Sequence, residues 1–292
     1  MPPPAEHTVT SLVGFTQLVE QSLQASRVVY GNDPSIVNWY RGCGRSVSDR
    51  LVPGLYRHPT VADANPLLVL ERRMLEWFQR ESILHQTKLD YIDSDDPDDP
   101  DYELLFYMQH YGFPTRLLDW TMNPFIALYF AVTTARKDEA TGQYLEDAVV
   151  WVLSPHAWNE RSLEDVSWGG RGPLSIQDPE KSAYVPRKNT DPMHLAQMYP
   201  LPVAMRGIAN NTRMFAQKGV FTIFGKNTDP MEQAFEINTY RPESLTKLII
   251  ERDHIDSLLQ SVLSFGYTDS VSYPDLHGLA MEIRRTFGFK VH

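Results

Sequence analysis

The sequence predicts an α+β fold: a mixed central sheet of short strands with flanking helices. Three observations lead there. Short apolar or aromatic runs that read as strands recur at 36–42, 147–155, 202–206, 219–225 and 245–251. Stretches of helical periodicity lie between some of them, without the regular strand–helix alternation of a doubly wound sheet. The chain has 292 residues, 42% hydrophobic and 22% charged, which is ordinary for a globular protein and enough for one large domain or two small ones.

Taken in order, residues 1–7 are Pro-rich and expected to fray. Apolar residues at helical spacing predict a helix over 11–30. "IVNWYRG" predicts a short strand bounded by "GNDP" and Gly42, and "LVPGLYRHP" a Pro/Gly-interrupted loop. Residues 65–86 form the clearest amphipathic helix, with Leu67, Leu70, Met74, Trp77 and Phe78 on or near one face. The acidic stretch at 93–103, with Pro97 and Pro100, predicts a solvated loop. It lacks the central Gly and closing Glu of a calcium loop. "ELLFYMQHYG" reads as a short helix ending at Gly112. "FPTRLLDWT" reads as an extended, bent segment entering a helix that Asn123 caps, with Pro124 in its first turn. "DAVVWVLSP" is a buried strand. Residues 157–199 are polar and punctuated by Gly and Pro, and read as a surface insertion. Two helices, at 253–266 and 275–287, close the chain, and no internal repeat is visible.

Several function classes are set aside. A net charge of -10 leaves no excess of cations for general nucleic-acid binding. There is no Walker-type phosphate loop, dinucleotide fingerprint, zinc-protease helix or nucleophile elbow. "GGRG" at 169–172 is Gly-rich but follows no strand and opens no obvious helix. Cys43 is the only cysteine and the nine histidines are dispersed, so no metal site is expected. The longest apolar run, "FIALYFAV", is too short to span a bilayer, and "MPPPAEHTVTSLVGF" has no signal-peptide character. The expectation is a cytoplasmic protein that does not enter a membrane.

Three segments, "WYRG", "QHYGFPTRLLDWTMNPFIALYFA" and "NTRMFAQKGVFTIFG", resemble the FRG-domain family. The aromatic-Arg-Gly signature is here Trp39-Tyr40-Arg41-Gly42. The middle segment carries the most specific match, from Gln109 through Asp119 to Ala131. "RLVPGLYR" and the closing "YPDLHGLA" are similar to further segments of the family. The resemblance divides the chain into an N-terminal helical segment, 1–35, and an FRG domain, 36–292, with the acidic loop at 93–103 and the insertion at 157–199. It assigns no activity by itself.

The residues open two readings at each position. Arg41 follows an apolar strand and precedes Gly42, which lets backbone approach a ligand; its guanidinium suits phosphate or carboxylate, or it braces the fold against Asp119. Thr115, Arg116, Asp119 and Thr121 either satisfy the amides of the following helix start or form a binding-site floor, where an anion would be attracted. Tyr111 and Trp120 either stack on a flat ring or are core. Gln217 either reads a ligand amide or hydroxyl, or caps local backbone.

The order of these motifs also resembles the layout of ADP-ribosyltransferases, which implies a split sheet and NAD as candidate substrate. That resemblance implies catalytic roles for Arg41, Thr115, Asp119 and Gln217. Ligand contacts would come from Arg41, Gly42, Tyr111, Arg116, Trp120, Thr121 and Asn123. "QKG" at 217–219 departs from the pattern, because it offers no carboxylate where the chemistry wants one; Glu232, Glu236 or Asp119 would have to serve. The alternative is a non-catalytic nucleotide sensor, read by a protein partner.

Overall fold

Alternation along the strands decides the architecture. In Ala148–Leu153 every residue is buried. Val149, Trp151 and Leu153 pack with Trp39 and Trp120 on one face, while Ala148, Val150 and Val152 pack with Tyr40 and Leu248 on the other. A period of two with both faces apolar is a central strand covered on both sides. The computed structural model describes residues 2–82, 99–166, 172–175, 177–184, 198–207 and 212–291, without the side chains of 99–101 and 212–213.

Among the described residues seven strands form one mixed sheet: β1 (Ala5–Val9), β2 (Trp39–Cys43), β3 (Leu117–Thr121), β4 (Ala148–Leu153), β5 (Val203–Met205), β6 (Gly219–Ile223) and β7 (Leu245–Ile250). Their order is β1-β7-β4-β2-β3-β6-β5. β1 runs parallel to β7, and the other pairings are antiparallel. The α+β class is therefore as the sequence predicts. The helices are α1 (Leu12–Val29), α2 (Ala64–Ser82), α3 (Asp99–His110), α4 (Pro124–Thr133), α5 (Pro155–Ser162), α6 (Thr212–Ala216), α7 (Met231–Ile237), α8 (Ile255–Ser264), α9 (Asp269–Ser272) and α10 (Leu276–Thr286).

On one face the helical cover comes in two groups. Phe15 of α1, Leu128 and Ala131 of α4, and Leu258 of α8 pack over β2, β4 and β7. Leu75 of α2 with Leu105 and Phe106 of α3 packs over β3, β5 and β6. The seam between the two groups lies over the boundary of β2 and β3.

Three expectations change. Ala5–Val9 does not fray; it pairs in full register with β7, and Glu6 meets Lys247 at 3.0 Å. An uncovered β7 edge would leave a row of unpaired amides and carbonyls, and β1 satisfies it. The acidic stretch does not stay a loop to 103: α3 begins at Asp99, and Tyr102 is fully buried, its hydroxyl donating to the Lys181 carbonyl at 2.6 Å. Residues 93–98 lie outside the described residues. Within 157–199, several of the described residues are built into the core. Trp158 stacks on Tyr240 at 4.1 Å, and the buried Asn159 amide bonds the Gly172 and Ala204 carbonyls and the Ala204 N–H. "GGRG" lies, except for Gly172, outside the described residues.

Helix α4 sits against β2 because Gly42 and Gly44 have no side chains. A Cβ at Gly42 would lie 1.8 Å from the Ala127 carbonyl oxygen, and one at Gly44 would lie 2.3 Å from the Thr134 carbonyl. Both obstacles are backbone and cannot rotate away. Gly42→Ala is therefore expected to cost at least about 3 kcal/mol, the upper range of overpacking, read as a drop in the urea midpoint.

The far side of α4 is held by the C-terminal segment. The Tyr129 hydroxyl donates to Asp269 Oδ1 at 2.6 Å, and Arg285 donates to both Asp269 oxygens at 2.8 and 2.9 Å. Burial works against the Asp269 charge, but the Arg285 and Tyr129 hydrogen bonds outweigh it and lower its pKa below the ordinary aspartate value. A depressed carboxylate stabilises the fold above its unfolded pKa of about 3.9 and loses that contribution as pH falls through the folded value. Asp269→Asn should lower the melting temperature at pH 7, and the gap from wild type should narrow below about pH 4.

Candidate functional site

The sheet parts beside Arg41. β2 forms five register pairs with β4, and β3 forms five with β6, but β2 and β3 share only Tyr40↔Thr121. Beyond that pair the strands separate. The opening coincides with the seam between the helical groups, and a cleft lies there. Its inner chamber, about 260 Å³, is walled by Phe106, Phe130, Met214 and Phe221, with Arg41 and Asp119 at its polar side. A larger chamber of about 680 Å³ adjoins it and shares Arg41, Gln109, His110 and Asp119.

Arg41 reaches across the gap. Its Nη1 donates to the Asp119 backbone carbonyl at 2.8 Å, and its buried Nε has no hydrogen-bond partner. Among the described residues Arg41 forms no ion pair. The expected Arg41–Asp119 carboxylate brace is thus replaced by a contact to backbone. The Asp119 carboxylate is exposed and accepts from the Gln109 side-chain amide at 2.7 Å. Thr115 holds the other end of Gln109 by donating its hydroxyl to Oε1, and it accepts from the Leu117 N–H at 3.1 Å. Thr115 is fully buried and lines neither chamber; it positions Gln109, which positions Asp119.

Arg116 is the brace. It is fully buried, its Nε donates to Glu71 Oε2 at 2.7 Å, and neither side chain has solvent exposure. Nη1 and Nη2 donate to the Phe224 and Tyr184 carbonyls at 2.9 and 2.5 Å, and the Arg116 N–H donates to Glu71 Oε1 at 3.2 Å. Burial opposes the guanidinium charge, but Glu71 more than offsets it and raises the Arg116 pKa. A ligand role for Arg116 is ruled out, since none of its surface is reachable.

Several other expected contacts also turn out to be architecture. Gly42 lines the cleft, but its missing side chain admits α4 rather than a ligand. Trp120 lines the inner chamber, but alternation along β3 turns its ring to the opposite face, where it is core and Nε1 donates to Thr222 Oγ1 at 3.1 Å. Asn123 caps α4, its Oδ1 accepting from the Phe125 N–H at 3.0 Å, and it lines neither chamber. Thr121 lines the inner chamber, but its hydroxyl donates to the Gln217 carbonyl and accepts from the Asn123 N–H. Gln217 also lines it, with Nε2 donating to the Ser272 carbonyl at 2.7 Å. Tyr111 is 59% exposed on the larger chamber, its ring edge-on to His110 with centroids 4.9 Å apart.

The cleft also gathers residues that the sequence reading did not single out as site residues: Phe106, Gln109, His110, Phe130 and Arg57. Gln109, His110, Phe130 and Arg57 stand within the quoted family segments, and that position was the available signal. Phe106 lies outside those segments and carried none, because it reads as ordinary helix core.

The two arginines separate in a stability experiment. Glu71→Ala leaves Arg116 buried and uncompensated and should cost about 3–5 kcal/mol. Asp119→Ala removes one exposed hydrogen bond and should cost about 1 kcal/mol. Matched urea denaturation of the two variants checks the ordering.

Comparison with known proteins agrees with the motif reading for the first two signature segments, while "NTRMFAQKGVFTIFG" and "YPDLHGLA" lie outside the match. Residues 37–140 match the family model described as the FRG domain. That stretch contains Arg41, Arg57, Glu71, Gln109, Arg116, Asp119 and helix α4, but not Gln217. No curated protein and no solved structure matches the chain. With the aromatic-Arg-Gly strand, the "FPTRLLDWT" segment and the helix seated on Gly42 all inside the matched region, residues 37–140 of the chain belong to the FRG domain family.

Proposed function

We propose that the cleft between β2 and β3 binds a phosphorylated small molecule, with NAD as first candidate and cleavage of its nicotinamide–ribose bond as candidate reaction. The observation that carries this reading is Arg41. A permanent cation stands at the parting of the sheet with one backbone hydrogen bond, the buried Cys43 thiol beside it, an unpartnered Nε and no counter-ion among the described residues. An anionic ligand would satisfy it. The aromatic walls of the inner chamber suit a planar ring.

In the candidate reaction the bond from the nicotinamide nitrogen to ribose C1′ breaks, nicotinamide leaves with the electron pair, and a nucleophile adds to C1′. Positive charge gathers on the ribose, and a carboxylate stabilises it. Asp119 fits that role best, since it lines both chambers. Glu232 is tied to Arg50 and the Leu51 N–H, and neither it nor Glu236 lines them. A second reading, a nucleotide sensor without catalysis, draws support from Gln217: its amide is committed to Ser272, where the related layout would place a catalytic carboxylate.

Calorimetric titration with NAD and ADP-ribose tests binding. A charge-assisted contact contributes about 1.5–3 kcal/mol, so Arg41→Ala should weaken affinity roughly ten- to a hundredfold. Arg41→Lys should restore only part, because a point charge cannot reproduce the fork. Nicotinamide release that disappears in Asp119→Asn, with binding retained, would select the enzyme over the sensor. An Arg41→Ala protein that folds and binds as wild type does would remove the proposal.

A further inference from the structure

We infer that the ligand of this cleft carries two linked phosphoryl groups, Arg41 meeting one and Arg57 the other across the larger chamber. The inference rests on the reading of Arg41 as a phosphate contact. Arg57 ends the short 3-10 turn Gly54–Arg57, inside the "RLVPGLYR" segment, and lines that chamber together with Arg41. The turn is fixed to the body of the protein. The Leu55 N–H donates to the Thr115 carbonyl at 3.0 Å, the Tyr56 hydroxyl donates to the Gly225 carbonyl, and Leu55 is buried. The Arg57 backbone is therefore held in place while its side chain is exposed.

No ion pair or side-chain hydrogen bond engages the Arg57 guanidinium among the described residues. Two arginines thus line one chamber, neither in an ion pair among the described residues. Their mutual repulsion is unfavourable until an anion lies between them. Partial burial, and after it the nearby Arg41 charge, pull the Arg57 pKa below the usual arginine value, against the opposite pull of the Asp49 and Asp119 carboxylates.

The chamber also contains Asp119 and Asp275, so its formal charge is balanced and no broad cationic field is present. Both carboxylates have donors of their own. Gln109 bonds Asp119, and the Gly278 N–H bonds Asp275 as the cap of α10. Recognition therefore falls to the directional N–H forks of the two guanidiniums, each matching the oxygens of one phosphoryl group. A diphosphate presents two such groups on one bridging oxygen. A mononucleotide with its ring in the inner chamber would engage Arg41 and leave Arg57 empty.

Titration of ADP and AMP, without divalent cations, into wild type, Arg57→Ala, Arg57→Lys and Arg41→Ala tests this. Wild type should bind ADP at least about tenfold more tightly than AMP, the worth of one charge-assisted contact. Arg57→Ala should hold AMP affinity within about twofold and erase the advantage of ADP, with Arg57→Lys between. Arg41→Ala should weaken both nucleotides. Because the Arg57 side chain is exposed and unbonded, its melting temperature should stay at the wild-type value. Equal affinity of wild type for ADP and AMP, or a parallel loss of both in Arg57→Ala, overturns the diphosphate inference and leaves the Arg41 cleft standing. Failure of both nucleotides to bind wild type below millimolar concentration overturns the cleft and the inference together.

Discussion

The buried pair of Arg116 and Glu71 is the constraint on which the rest of this structure depends. Two charges stand without solvent, and the arrangement survives because their donors and acceptors are matched. One guanidinium ties helix α2 through Glu71, the end of β6 through the Phe224 carbonyl, and the Tyr184 segment through its carbonyl. The Arg116 backbone joins the same network, its N–H on Glu71 and its carbonyl on the Phe224 N–H. Such a pair contributes little net stability against an apolar replacement, but it cannot be half-removed. Its effect here is positional. It fixes the residue before β3, and therefore where Thr115 stands, where Gln109 is held, and how Asp119 faces the cleft.

The cleft follows from two features that meet at one line. The strands β2 and β3 touch at a single pair, and the helices above them fall into two separately packed groups. On one side, Gly42 and Gly44 bring α4 onto β2 at backbone distance; on the other, Phe106 of α3 packs on Phe221 with ring centroids 5.1 Å apart. Each side is anchored by its own contacts, so the space between them does not have to be filled by core. The unpartnered Nε of Arg41 lies at this line.

Much of the fold was legible in the sequence, and the reasons are local. A helix spans Leu12–Val29, Asn123 caps α4, and the apolar run of β4 is a buried strand, because caps and periodicity act within a few residues. What escaped was set by distant partners. Nothing in the composition of residues 5–9 announces a strand until β7 offers its edge, and Trp158 becomes core only against Tyr240. The site divides in the same way. Arg41, Asp119 and Gln217 do come to one cleft. Arg116 and Arg41 cannot be told apart in sequence, since each is an arginine beside apolar residues. Only the position of Glu71, 45 residues before Arg116, makes the first a brace, and the absence of any such partner among the described residues leaves the second available.

The central claim is this division of labour between Arg116 and Arg41, and the arginine side chains report it directly. Nitrogen-15 NMR of the arginine Nε–H groups, assigned by substitution and followed during titration with ADP, observes both in one sample. The account predicts that the Arg41 Nε resonance shifts to saturation as the buried group gains its missing acceptor, while the Arg116 resonance, held on Glu71, stays where it was. An Arg41 signal unmoved at saturating ADP, or an Arg116 signal that moves with it, would contradict the account.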